Sequence, residues 1–108
     1  MDKTIITQLK GFAAVRRVAD EIARIFLPKR IYLYNNRLSM EGIFTSFKLC
    51  VVGEFDDKEE AECEIYNQID SDIPFDVLLY TTPEWEELSL DEMSFAGKII
   101  RMGTVLYG

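Results

Sequence analysis

The stretch Ile43-Phe44-Thr45-Ser46-Phe47-Lys48-Leu49-Cys50-Val51-Val52-Gly53 decides how the rest of the chain is read. Its apolar, β-branched and aromatic content predicts a single strand. Side chains alternate between faces along a strand, so Ser46, Lys48, Cys50 and Val52 share one face. Phe75-Asp76-Val77-Leu78-Leu79-Tyr80 predicts another strand, with Asp76, Leu78 and Tyr80 on a common face. A pair of metal ions is often held by an acidic i, i+2 pair on one strand and a third acid on its neighbour. Here the third acid, Asp76, is present, and the pair positions hold Ser46 and Lys48. That is the pattern of a metal-dependent scaffold whose metal site has been lost.

Outward from these strands, Phe12 to Phe26 predicts a helix, with Val15, Val18, Ile22 and Ile25 on one stripe and charged residues largely off it. Asp2 to Lys10 continues the phase through Ile5, Ile6 and Leu9. Gly11 costs about 1 kcal/mol against Ala there, which leaves a kink or a short separate helix open. Pro28 ends the helix. Ile31 to Tyr34 predicts a short strand stopped by Asn35-Asn36, residues that suit a turn, and about six residues ending at Gly42 lead to the long strand. Asp56 or Asp57 can cap a helix running to Asn67 or Ile69, with Ala61, Ile65 and Ile69 inward. Thr82-Pro83-Glu84 opens another helix, since Pro suits a first turn. A last helix spans about Asp91 to Met102, ends at Gly103, and leaves an apolar tail, Thr104 to Tyr107. The order is α-β-β-α-β-α-α, an α+β fold: a two-layer α/β arrangement with a small mixed sheet of about three strands packed by helices.

A length of 108 residues fits one domain, residues 1–108, with 1–11 as an N-terminal helical extension or tail. No apolar run reaches the ~18–20 residues of a membrane helix, and the polar residues near Met1 do not resemble a signal peptide. Cys50 and Cys63 lack C-x-x-C spacing, so both are expected to be free core residues in a reducing cytoplasm. There is no histidine, which removes Ser-His-Asp and Cys-His nucleophiles and His-ligated zinc. Any catalysis would rest on carboxylates, lysine or tyrosine.

The net charge of −7 is unevenly spread: residues 1–50 carry nine Lys/Arg against four Asp/Glu, and residues 51–108 carry three against fifteen. An acidic domain is poorly suited to free nucleic-acid binding, whose affinity comes largely from phosphate neutralisation. Arg16, Arg17, Arg24, Lys29, Arg30 and Arg37 could form a local basic patch, but oppositely charged elements packed side by side account for the asymmetry more simply.

With these residues, the order of elements resembles the minimal nucleotidyltransferase domain of the polymerase-beta-like superfamily over residues 12–107. The corresponding pieces are Ile31-Tyr32-Leu33-Tyr34-Asn35-Asn36-Arg37, Thr45-Ser46-Phe47-Lys48-Leu49-Cys50-Val51-Val52, Phe75-Asp76-Val77-Leu78-Leu79-Tyr80-Thr81-Thr82-Pro83-Glu84-Trp85, and Met102-Gly103-Thr104-Val105-Leu106-Tyr107-Gly108. The resemblance implies a Gly-Ser turn that donates N–H groups to a triphosphate. It also implies two strand carboxylates that bind Mg²⁺, and a third on the adjacent strand. Here Asn35-Asn36 stands for Gly-Ser, and Ser46 and Lys48 stand for the two metal aspartates. Asp76 persists, with Asn35, Asn36 and Arg37 as the nucleotide-contact positions. Two placements of Lys48 fit the pattern: its ammonium pairs with Asp76 in place of the metal, or it reaches solvent from a half-open groove.

Other candidates carry less. Asp72, four residues from Asp76, would be about 13 Å away along a strand, too far for a shared metal pair. Glu54, Asp56, Asp57, Glu59, Glu60 and Glu62 lack the glycine and spacing of a calcium loop and suit a solvated helix start. Trp85, Phe95 and Tyr107 could stack a ligand, although aromatics at helical spacing are usually core. Two function classes follow. One is a domain that has lost catalysis, with no cofactor, which binds a protein partner: a helical HEPN-type protein in an antitoxin-like role, as the resemblance implies, or a second copy through the Ile5, Ile6 and Leu9 face. The other is a working Mg²⁺- and NTP-dependent nucleotidyltransferase with Asp76 joined by Glu41 or Glu54, acting on a protein or small-molecule hydroxyl.

Overall fold

The computed structural model describes the backbone of residues 3–108 and the side chains of residues 12–108. Its elements are α1 (Lys3–Phe26), β1 (Arg30–Leu38), β2 (Phe44–Gly53), α2 (Lys58–Gln68), β3 (Phe75–Thr81), α3 (Thr82–Leu88), α4 (Phe95–Met102) and β4 (Thr104–Tyr107). The four strands form one mixed sheet in the order β3-β2-β1-β4. β1 runs antiparallel to β2 and to β4, whereas β2 and β3 are parallel. A parallel pair needs a crossover connection, and α2 supplies it. The fold is thus the α+β arrangement expected, with four strands in place of about three.

The alternation of β2 divides the interior in two. Phe47, Leu49 and Val51 point to the larger core, where they meet Val15, Val18 and Ile22 of α1 and Ala61, Ile65 and Ile69 of α2. Cys50 and Val52 point the other way, to Tyr32, Trp85 of α3, and Ala96 and Ile99 of α4. The helices therefore cover both faces, and α3 and α4 add a partial layer over the second face. No buried polar side-chain atom among the described residues lacks a partner, as low-dielectric packing requires.

Three boundaries differ from the sequence expectations, and the choice left open at Gly11 is resolved. α1 continues through Gly11 as one helix; the side chains of Ile5, Ile6 and Leu9 lie outside the described residues. It stops at Leu27, which takes a left-handed φ of 48° while its N–H donates to Ala23 O at 3.0 Å. β1 does not end at Asn35-Asn36. It continues to Leu38, and the hairpin loop is Ser39–Ile43, closed by Ser39 N–H donating to Ile43 O at 2.8 Å with Gly42 at a φ of 80°. α4 starts at Phe95 and not at Asp91, because the capping oxygen is Ser94 Oγ, which accepts from Gly97 N–H at 3.0 Å. The apolar tail is β4, whose ladder partners on β1 are Ile31, Tyr32 and Leu33.

The remaining caps follow the sequence. Asp57 accepts from the N–H groups of Glu59 and Glu60 at 3.0 and 3.2 Å. At α3, Thr81 Oγ1 accepts from Glu84 N–H while Glu84 Oε1 accepts from Thr81 N–H at 2.9 Å, a capping box.

Candidate functional site

The register of the sheet sets three residues side by side. Lys48 is the ladder partner of Asp76 on β3 and of Asn35 on β1. Adjacent strands are about 4.8 Å apart, so Asn35, Lys48 and Asp76 form a row on the face shared with Cys50 and Val52. One step along the ladder, Arg37 partners Ser46. All five sequence candidates on this face are thus brought together at the sheet end beyond the Trp85 core. Asn36 is not among them: it partners Phe47, a residue of the opposite core.

Tyr34 causes that division. The register slips between Leu33 and Asn35, so two residues of β1 oppose one of β2, the definition of a bulge. Tyr34 and Asn35 consequently line the same cavity. Tyr34 packs edge-to-face on Phe95 of α4, with centroids 5.5 Å apart and planes at 88°. Burial raises the pKa of its hydroxyl, with Cys50 and Asp76 adding to the shift. Tyr66 of α2 approaches Asp76 from the β3 edge: its hydroxyl accepts from Val77 N–H at 2.9 Å. Burial raises that pKa too, opposed by the hydrogen bond to Val77 and helped by Asp76.

Lys48 is half-buried and Asp76 exposed. Among the described residues the ion pairs within 4.0 Å are Arg16–Asp20, Lys29–Glu86 and Lys58–Glu84; Lys48 and Asp76 are neighbours without being one of them. Mg²⁺ demands an octahedron of hard oxygen ligands at about 2.1 Å. This row offers one carboxylate beside an ammonium, so the residues present do not fit the ion. The other carboxylates stay away: Glu54 follows β2 about 20 Å from Lys48 along the strand, and Glu41 lies in the hairpin loop beyond Phe44, itself about 13 Å from Lys48. Among the described residues no group of three or more His, Cys, Asp or Glu is placed to hold a metal.

The remaining candidates are structural or dispersed. Asp72 is an exposed loop residue beside a Ser71 turn in which Ser71 Oγ donates to Ile73 O. Trp85 is core, packed on Tyr32 and Tyr80, and so does not stack with Phe95 or Tyr107. Three of the six basic candidates bond to backbone carbonyls of the chain at its surface: Arg16 donates to Leu106 O at 2.6 Å, Arg17 to Asp70 O and Arg30 to Gly108 O at 3.1 Å. Cys50 is buried, and burial pushes its thiol up to about 12, whereas Cys63 is exposed on α2. Both are free, but only Cys50 is a core residue.

What the sequence did not disclose is a cavity of about 300 Å³ beside the row, lined by Tyr34, Asn35, Phe95, Lys98, Ile99 and Met102. It is assembled between α4 and the bulge. Its only sequence signal is the i, i+3, i+7 spacing of Phe95, Lys98 and Met102, which sets them along one side of a helix.

Among the described residues, no helix is long and apolar enough to cross a membrane. No protein-family model, curated protein or solved structure matches this chain.

Proposed function

We propose that this is a domain with a nucleotidyltransferase-like sheet that has lost catalysis and acts as a protein-binding, antitoxin-like module. One observation carries the reading: the Asn35–Lys48–Asp76 row presents a single carboxylate, with a lysine at the position where a metal-binding acid would serve phosphoryl chemistry. An ammonium there repels a divalent cation. It can offset the charge of Asp76 and attract a partner's acidic group, but it cannot activate a hydroxyl between two metal ions. The resemblance named above points to a helical HEPN-type protein as the partner class.

The test is incubation with radiolabelled ATP, GTP, CTP and UTP, with and without Mg²⁺, alongside calorimetric titration of the same nucleotides. The expected result is no label on the protein or on a co-expressed neighbouring-gene product, together with a stable complex of the two proteins on size exclusion. Magnesium-dependent labelling abolished by Asp76→Ala would reverse the assignment to an enzyme.

A further inference from the structure

The fifteen acids of the second half of the chain all lie at or before Glu92, and residues 93–108 carry none, with Lys98 and Arg101 as their only charges. This boundary divides one surface into two apolar patches of opposite rim. The first is the end of α3 and the loop after it, where Leu88, Leu90 and Met93 are 40%, 85% and 92% exposed among Glu86, Glu87, Asp91 and Glu92. The second is the outer side of α4, where Phe95 and Met102 are 49% and 75% exposed beside Lys98 at the mouth of the 300 Å³ cavity, with Arg101 on the neighbouring side of the helix donating to Glu92 O at 2.6 Å. Exposed leucines and methionines scattered singly need no explanation, but a contiguous set with a charged rim marks an interaction surface.

We infer that this α3–α4 face is the interface of a symmetric dimer, in which the acid-rimmed Leu90–Met93 loop of one copy docks on the base-rimmed α4 groove of the other. The occupant is a second copy because the chain carries both halves of the contact. The halves adjoin in sequence and pack together through α3 and α4 on the same side of the sheet. In a two-fold interface, residue i meets j while j meets i, so a single axis between the patches closes both contacts at once. Each copy then presents Lys98 to acids, and Leu90 or Met93 has a preformed cavity to enter, walled in part by Phe95, Ile99 and Met102. The charges fix partner and orientation, while the apolar side chains supply the burial. The inference goes beyond the function proposed above and is tested separately from it.

Sedimentation velocity across a concentration series, at low and high salt, reads the assembly. The expected wild-type result is a monomer–dimer equilibrium that weakens with salt as the rim charges are screened. Lys98→Glu/Arg101→Glu makes both rims acidic, and Glu87→Lys/Glu92→Lys makes both basic, so each variant alone is expected to be monomeric. Mixed one to one, the two variants regain complementary rims and form a heterodimer. Leu90→Gln/Met93→Gln, at sites too exposed to matter for folding, should weaken the dimer by roughly tenfold or more. A wild-type protein monomeric at the highest concentration overturns the inference, as does a mass that grows past two copies. So does a dimer indifferent to Leu90→Gln/Met93→Gln. Well-folded charge variants that stay monomeric when mixed also overturn it. Nucleotide labelling through Asp76 bears on the proposed function alone.

Discussion

Removing the charge of Glu84 should destabilise the protein by an amount that disappears in acid. Glu84 accepts from Thr81 N–H at 2.9 Å and from Lys58 Nζ at 3.0 Å through each of its oxygens. These contacts hold its carboxyl down at about 2, the Thr81 backbone hydrogen bond contributing most and Lys58 next. Taken at face value, a drop from 4.5 would be worth roughly 3 kcal/mol at 1.36 kcal/mol per unit. The two side chains are 42% and 40% exposed, however, so solvent screening reduces the pair to below about 1 kcal/mol, and the cap contributes about 1 kcal/mol more. Glu84→Gln keeps an acceptor for Thr81 and should lose about 1 kcal/mol. Glu84→Ala loses both contacts and should cost about 2 kcal/mol, roughly 8–16 °C in Tm at this size. Because the folded pKa is depressed, the stabilisation is complete above pH 4.5 and is lost as pH falls toward 2. Urea melts of wild type, Glu84→Gln and Lys58→Ala from pH 7 to pH 3 are the assay. The Glu84→Gln gap should be flat down to about pH 5 and shrink below it. A gap of zero at neutral pH, or one unchanged at pH 3, would refute the reasoning.

Three further outcomes follow from other parts of the molecule. With a thiol reagent at mild alkaline pH, Cys63 should react at once and Cys50, whose thiol is pushed up to about 12, only on unfolding; two fast thiols would contradict the packing of the smaller core. Leu27→Asn should raise stability by about 0.5–1 kcal/mol in thermal melts, because Leu27 holds φ at 48° with its side chain 77% exposed, and Asn tolerates that region better than Leu. Ser46→Asp/Lys48→Asp should gain metal binding, since it sets two carboxylates about 6.6 Å apart on β2 with one of them beside Asp76. A millimolar dissociation constant would give about 1.4 kcal/mol of stabilisation at ten times that concentration of Mg²⁺. No metal-dependent rise in its Tm, against an equally silent wild type, would mean that the row is not a former metal face.

The parts of the fold set by local chemistry were legible. The stripe of α1, the Asp57 and Thr81–Glu84 caps, and the alternation of β2 can each be read from neighbours within four residues. The register partnership of Lys48 with Asp76 was legible only through the resemblance, because no local rule aligns parallel strands separated by a helix. The misread boundaries share a cause. Asn35-Asn36 has turn chemistry, yet its backbone is paired with β2 once Tyr34 absorbs the slip, so tertiary pairing overrides propensity. Thr104–Tyr107 is too short to mark itself as a strand and becomes one because β1 has an edge to offer. Asp91 looks like a helix cap, but Gly97 sits tightly against it: a Cβ there would lie 2.5 Å from Asp91 O, so the chain turns before α4 begins.

The bulge at Tyr34 makes the composition of the polar row a matter of phase. Upstream of it, even-numbered residues of β1 share the face of Cys50; downstream, odd-numbered ones do. Inserting one residue after Tyr34 would set the new residue opposite Lys48 and swing Asn35 to the far side of the sheet, beside Phe47, with every functional side chain still in the sequence. The site is thus exposed to a class of mutation that substitution scans never sample. A gain of a single codon at the bulge would exchange the two faces of the strand tip at once, and an intact motif would then give no sign that its residues had parted.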